Sequence, residues 1–260
     1  MVVGMEKNLK ESIMSKCSKI IVGGCSFTDK NMPRHAKPKP LDFKMWATHI
    51  GEWSNCEVIN VALSGYGNQA IYHTTLKEIW KNLDNIEHVY IMWSEWARQD
   101  FMLGEEIKKD GFFQTVIPRL ENDEYNKTQE FYQRTWSRPF PNMQQLIDTN
   151  MNYIYSMQAI CKQLGIKYTA CQALTPIPQF VEGIYNVTPF AFKLVKHPLI
   201  EKIENFMGWP MIDSLAGFNI TELCNLAMGS SWRISLEDAH PNEKAQKFIA
   251  SKIYEYSGKS

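Results

Sequence analysis

Short, wholly apolar runs alternate along this chain with stretches in which apolar residues recur every three or four positions. Lys19-Ile-Ile-Val-Gly-Gly24 is apolar and ends in glycines, as a buried strand running into a tight turn does. Residues 41–51 carry Leu41, Phe43, Met45, Trp46 and Ile50 and predict a short helix. Residues 57–62 predict a second strand and 88–93 a third. Between them, apolar positions 72, 76, 79, 80 and 83 line one face of an amphipathic helix over 68–83. Residues 143–164 predict a long helix, stopped by Gly165 as a left-handed C-terminal residue. A fourth strand follows at 166–171. The last helix starts near Asn242, with Ala245, Phe248, Ile249, Ile253 and Tyr256 on its apolar face. Residues 1–18 are polar and predict a weakly helical arm.

Strands separated by helices predict the α/β class: a three-layer α/β/α, flavodoxin-like parallel sheet with right-handed connections. Two stretches, 99–142 and 174–233, lose the rhythm and are punctuated by proline. They read as irregular insertions in one domain spanning residues 1–260, and insertions of that length usually carry lids or binding surfaces.

Composition narrows the function classes. The 28 Lys+Arg and 28 Asp+Glu cancel, so the basic groove that a nucleic acid requires is not expected. Hydrophobic residues at 44% and charged residues at 22% argue for a packed domain over a disordered chain. Eight tryptophans suggest an aromatic-lined pocket in addition to the core where most aromatics go. The cysteines form no CxxC pair and no ligand-like spacing with histidine, which predicts reduced, mostly buried thiols and no metal site. No apolar run reaches the 18 residues of a membrane span. None near the N-terminus resembles a signal peptide, so a cytoplasmic-type product is expected.

Ligands of parallel sheets sit beyond the carboxyl ends of the strands, so the segments that follow the strands carry the candidate chemistry. These are Gly24-Cys25-Ser26-Phe27-Thr28, Ala62-Leu63-Ser64-Gly65-Tyr66-Gly67-Asn68 and Trp93-Ser94-Glu95-Trp96-Ala97-Arg98. Glu237-Asp238-Ala239-His240-Pro241-Asn242 precedes the last helix. Ser26 on a glycine turn would present its hydroxyl at the sheet edge, but a serine hydroxyl needs a base to become a nucleophile. His240 suits that task, since an imidazole has a reference pKa of about 6.5. Pro241 biases the His240 backbone to an extended form. An acid must then orient the far ring nitrogen.

The set resembles the SGNH (GDSL-like) hydrolase superfamily, in a divergent form similar to proteins of large bacteriophages. The segment around Ser26 matches the family's first block, with Cys25 where Asp is common. Asn60-Val-Ala-Leu-Ser-Gly65 matches the second, and an acid ahead of His240-Pro241 matches the last. The matched blocks span residues 20–256. The resemblance implies a serine esterase or acylhydrolase with catalytic Ser26, His240 and Asp238. Its oxyanion hole would use the Ser26 and Gly65 N–H groups and the Asn68 side chain. Trp93 and Arg98 would face a small-molecule or glycan ester, such as an O-acetyl group. No metal or organic cofactor, nucleic acid or membrane partner is implied, and a phage-encoded protein would act in the host cytoplasm or the virion.

Other roles compete for the same residues. Ser26 can serve as a turn or cap residue, Asn68 as a helix cap and Trp93 as core. Glu237 lies at the family's usual three-residue spacing before His240; Asp238, two before, has the shorter reach and is preferred. The family's third block ends in Gly-x-Asn-Asp, where this chain has Trp93-Ser94-Glu95-Trp96. An ionised Glu95 cannot donate a hydrogen bond, so Asn68 is expected to supply that donor and Glu95 to pair with Arg98. A catalytically degenerate binding or structural module, for instance of a phage particle, is the alternative reading. A nucleotide-binding flavodoxin-like protein fits least, because Gly23-Gly24-Cys25-Ser26 is not GxGxxG and a P-loop lysine is missing.

Overall fold

The computed structural model describes residues 18–31, 42–102, 113–116, 143–177 and 187–258. The N-terminal arm expected at 1–18 lies almost entirely outside the described residues, as does most of the insertion at 99–142.

Seven strands are present in the described chain: β1 (Lys19–Gly24), β2 (Glu57–Asn60), β3 (Ile86–Trp93), β4 (Gln99–Met102), β5 (Phe113–Val116), β6 (Lys167–Gln172) and β7 (Phe206–Met207). Five of them form one parallel sheet in the order β2-β1-β3-β6-β7. The described α-helices are α1 (Trp46–Ser54), α2 (Asn68–Lys81), α3 (Met143–Gln163), α4 (Val187–Leu194), α5 (Ile220–Met228) and α6 (Glu243–Tyr256).

The apolar runs are continuous because helices cover both faces of the sheet. On β1, Ile21 packs with the apolar faces of α2, α3 and α4. Its neighbours Ile20 and Val22 point the other way, into α1, α5 and α6. On β3, Val89, Ile91 and Trp93 join the first cluster, whereas Tyr90 and Met92 join the second. Successive side chains alternate faces, and both faces are core. This is the three-layer α/β/α architecture expected from the sequence.

Helix ends follow local chemistry. Gly165 has φ +68° after α3, the left-handed conformation that glycine adopts without penalty. The Asn242 side chain accepts the Ala245 N–H at 3.1 Å and opens α6. The first helix begins five residues later than its periodicity suggests and ends at Asn55, with φ 53°.

The described residues of the stretch 174–233 are not all irregular, contrary to expectation. They contain α4, β7 and α5. Helix α5 opens with a capping box: Asn219 Oδ1 accepts from Glu222 N–H, and Glu222 Oε2 accepts from Asn219 N–H. The Asn-x-x-Glu spacing is a sequence signal for this helix. Strand β7 has only two residues, too few for any periodicity to register. Likewise β4 and β5 form a separate antiparallel pair inside the first insertion.

Cys25, Cys56, Cys161, Cys171 and Cys224 are free thiols, and all but Cys56 are buried. Burial pushes Cys161 and Cys224 up to about 12 and Cys171 higher still, so these thiols stay protonated and inert. Among the described residues, none of the helices is long and apolar enough to cross a membrane, and no group of three His, Cys, Asp or Glu could hold a metal.

Candidate active site

Ser26 sits in the turn that leaves β1. The N–H groups of Thr28 and Asp29 both donate to the Cys25 carbonyl, at 2.9 and 3.0 Å, and close the turn. A Cβ on Gly24 would stand 2.4 Å from Thr28 Oγ1, so the turn can fold back only against a glycine. Ser26 itself is 9% exposed.

The loop after β2 is stapled to this turn. Asn60 Nδ2 donates to the Thr28 carbonyl at 2.7 Å, and Leu63 N–H donates to the Gly24 carbonyl at 3.3 Å. Asp29 Oδ2 accepts both the N–H and the hydroxyl of Ser64 at 2.8 Å. The next residue, Gly65, has φ +89°, and a Cβ there would meet nothing within 4 Å. Glycine is required there by torsion and not by space. Among the described residues, the N–H groups of Ser26 and Gly65 donate to no protein group. Those are the two backbone donors expected for an oxyanion.

His240 is carried on a tight segment between α5 and α6. Ile234 N–H donates to the His240 carbonyl at 2.9 Å, and Asn242 N–H donates to the Trp232 carbonyl at 2.8 Å. Asp238 Oδ1 lies 2.6 Å from His240 Nδ1 and also accepts the His240 backbone N–H at 3.1 Å. This Asx-type turn fixes a carboxylate against the ring by local geometry. The contact engages Nδ1, the ring nitrogen that an orienting acid would hold. Glu237 instead accepts from the Ser235 hydroxyl at 3.0 Å at an exposed position. Of the two candidate acids, Asp238 is the one that engages the imidazole.

The described hydrogen bonds of the His240 ring run to Asp238 and do not include one from Ser26. Phe27, next to Ser26 in the chain, links the two segments: its ring stands edge-on to His240, with centroids 5.7 Å apart, and to Trp232 at 6.2 Å. Gln246 on α6 ties the same segments together. It is 1% exposed, donates to the Phe27 carbonyl at 3.3 Å and accepts the Trp46 N–H at 2.9 Å. Gln246→Ala orphans both backbone groups and should cost about 1–3 kcal/mol for each. Urea unfolding measures this, and a loss well under 1 kcal/mol would show that Gln246 is not the tie.

Three expected roles are corrected by the geometry. Asn68 Nδ2 donates to the Ser94 carbonyl at 3.2 Å and to Asn150 Oδ1 at 2.7 Å, while Asn68 Oδ1 accepts Ser94 N–H at 2.7 Å. A primary amide has two hydrogens, and both are committed. Asn68 therefore locks the end of β3 to α3 and has no donor left for an oxyanion. Trp93 is fully buried among the side chains of α2 and α3 and cannot touch a substrate. Arg98 is buried with its guanidinium bound to Glu95 and to the Tyr66 carbonyl, so these two arms are held by the protein in place of the expected substrate. The Glu95–Arg98 pairing itself is as the sequence suggested.

Asp100 was not singled out by any motif. From β4 it accepts the N–H groups of Gly67 and Ala70 at 2.9 Å each, and the Thr115 hydroxyl, and so caps α2 from outside the helix. Burial nevertheless pushes its carboxyl up from the usual range. Arg98, Asp100, Asn68, Asn150 and Tyr153 line a polar cavity of about 60 Å³. Ser26 and His240 are not part of its lining.

No protein-family model matches this chain, and no curated protein matches it in sequence. Solved structures with a similar fold include a candidate lipolytic protein of the G-D-S-L family from Desulfitobacterium hafniense, at 13% identity and TM-score 0.48, covering 92% of this chain and 99% of that one. A psychrotrophic esterase from a Pseudoalteromonas species, inhibited by monoethylphosphonate, is similar at 14% identity and TM-score 0.48, covering 93% and 97%. An acetylxylan esterase from Geobacillus stearothermophilus is similar at 12% identity and TM-score 0.44, covering 94% and 97%.

Proposed function

We propose that this protein is a serine ester hydrolase of the SGNH type. The observation that carries the reading is the 2.6 Å contact of Asp238 with His240 Nδ1, on a segment joined through Phe27 to the Ser26 turn. His240 Nε2 takes the Ser26 proton as Oγ attacks the ester carbonyl. The tetrahedral oxyanion faces the Ser26 and Gly65 N–H groups. Collapse breaks the ester C–O bond, and the leaving alkoxide receives the proton from the imidazolium. Water then attacks the acyl-enzyme by the same proton route and releases the acid. The proposed substrates are small acyl esters, O-acetyl groups of glycans among them.

A second reading is a binding module on the same fold. It is favoured by the commitment of the Asn68 amide to Ser94 and Asn150, which leaves two backbone donors where a third was expected. A fluorophosphonate probe separates the two. The hydrolase should be modified on the peptide that contains Ser26, and Ser26→Ala should abolish the modification. A folded protein that resists the probe would be the binding module.

A further inference from the structure

We propose that the buried Glu95–Arg98 ion pair is a positioning device for the loop that presents the Gly65 N–H. The inference rests on reading this site as an ester hydrolase. Around Gly65, side chains from elsewhere in the chain hold the backbone. Asp29 takes the Ser64 N–H at 2.8 Å, Arg98 Nη1 donates to the Tyr66 carbonyl at 3.1 Å, and Asp100 takes the Gly67 N–H at 2.9 Å. Tyr66 N–H closes the loop on the Leu63 carbonyl at 3.2 Å. Within this frame the Gly65 N–H is the donor that these side chains leave for a ligand.

Arg98 ties the segment after β3 to this loop. Its Nε donates to Glu95 Oε2 at 3.0 Å, and the two side chains are only 4% and 3% exposed. A charge so deeply buried persists only when paired and hydrogen-bonded. Burial opposes the guanidinium's charge, but Glu95, Cys25 and Asp100 together outweigh it, and the net shift of its pKa is upward. The planar fork addresses a carboxylate with one nitrogen and a carbonyl with another, which a single ammonium cannot do as well. Packing points the same way: a Cβ on Gly67 would stand 2.9 Å from Arg98 Cβ and 2.6 Å from Asp100 Oδ2. The loop backbone rests directly on the segment that follows β3, and that segment sets its height above the sheet.

Two variants test this. Arg98→Lys keeps a cation beside Glu95 and gives up the second arm to Tyr66. Glu95→Leu combined with Arg98→Met removes both charges at similar volume, a change that buried ion pairs often tolerate. The readouts are hydrogen exchange of the Tyr66 amide, and kcat and KM for p-nitrophenyl acetate. The expected result is Tyr66 exchange at least roughly tenfold faster, with kcat down roughly 10- to 100-fold and KM within about threefold, as for a displaced transition-state donor. Should the double variant not fold, Arg98→Lys carries the same readouts. Unchanged Tyr66 exchange in a folded variant overturns the positioning role, whatever the activity. Faster exchange with unchanged kcat overturns its link to catalysis. A wild-type protein that neither reacts with fluorophosphonate nor hydrolyses the ester overturns the hydrolase reading and this catalytic role with it, while the exchange measurement still reports whether the pair holds the loop.

Discussion

Asp238→Asn should lower kcat for p-nitrophenyl acetate roughly 10⁴-fold, and His240→Ala at least as much, while Glu237→Gln leaves it within about twofold. The two acids are adjacent in the chain, but only Asp238 touches the ring, at 2.6 Å from Nδ1. On the proposed mechanism the carboxylate accepts a hydrogen bond from Nδ1–H and keeps Nε2 unprotonated for Ser26. An asparagine in the same place can donate to Nδ1, which moves the ring proton to Nε2 and removes the base. The imidazolium formed during attack also loses its countercharge. Glu237 sits at an exposed position, bound to the Ser235 hydroxyl, and contributes neither effect. Steady-state kinetics on the three folded variants give the answer. Equal losses at Glu237 and Asp238 would mean that the acid is not fixed by the local turn.

Trp93→Ala should destabilise the protein by about 3–5 kcal/mol, the usual cost of deleting a large buried side chain and leaving a cavity. Trp93 ends β3, at the same sheet edge as the candidate site, and that position alone suggests a substrate contact. Yet its side chain has no exposed surface and packs in the cluster formed with α2, α3 and α4. Urea unfolding should therefore move strongly, while KM of the folded fraction stays unchanged. A substrate-binding tryptophan would give the reverse pattern, with KM raised and stability nearly intact.

The parallel strands were legible because a strand buried on both faces has no polar positions, as Ile20, Ile21 and Val22 illustrate. The turn at Ser26 and the left-handed Gly65 were legible for the same local reason, since each is marked by glycine. Helix α5 was legible in principle through Asn219 and Glu222, but proline-rich surroundings hid it. What spacing could not give is who receives each polar side chain. Asn68 opens a helix, and nothing local directs its amide to Ser94 and to Asn150, which is 82 positions away.

The sequence by itself determined the α/β class, the order of the strands' chemistry-bearing turns and the pairing of a histidine with a nearby acid. These depend on periodicity and on bonds between residues close in the chain. Only the tertiary structure decided that Trp93 is core, that Asp100 caps a helix 30 positions away and that Gln246 reaches the Phe27 carbonyl across 219 positions. Buried polar groups must find partners, and which partners are within 3 Å depends on how the loops meet above the sheet, a relation that no local pattern encodes.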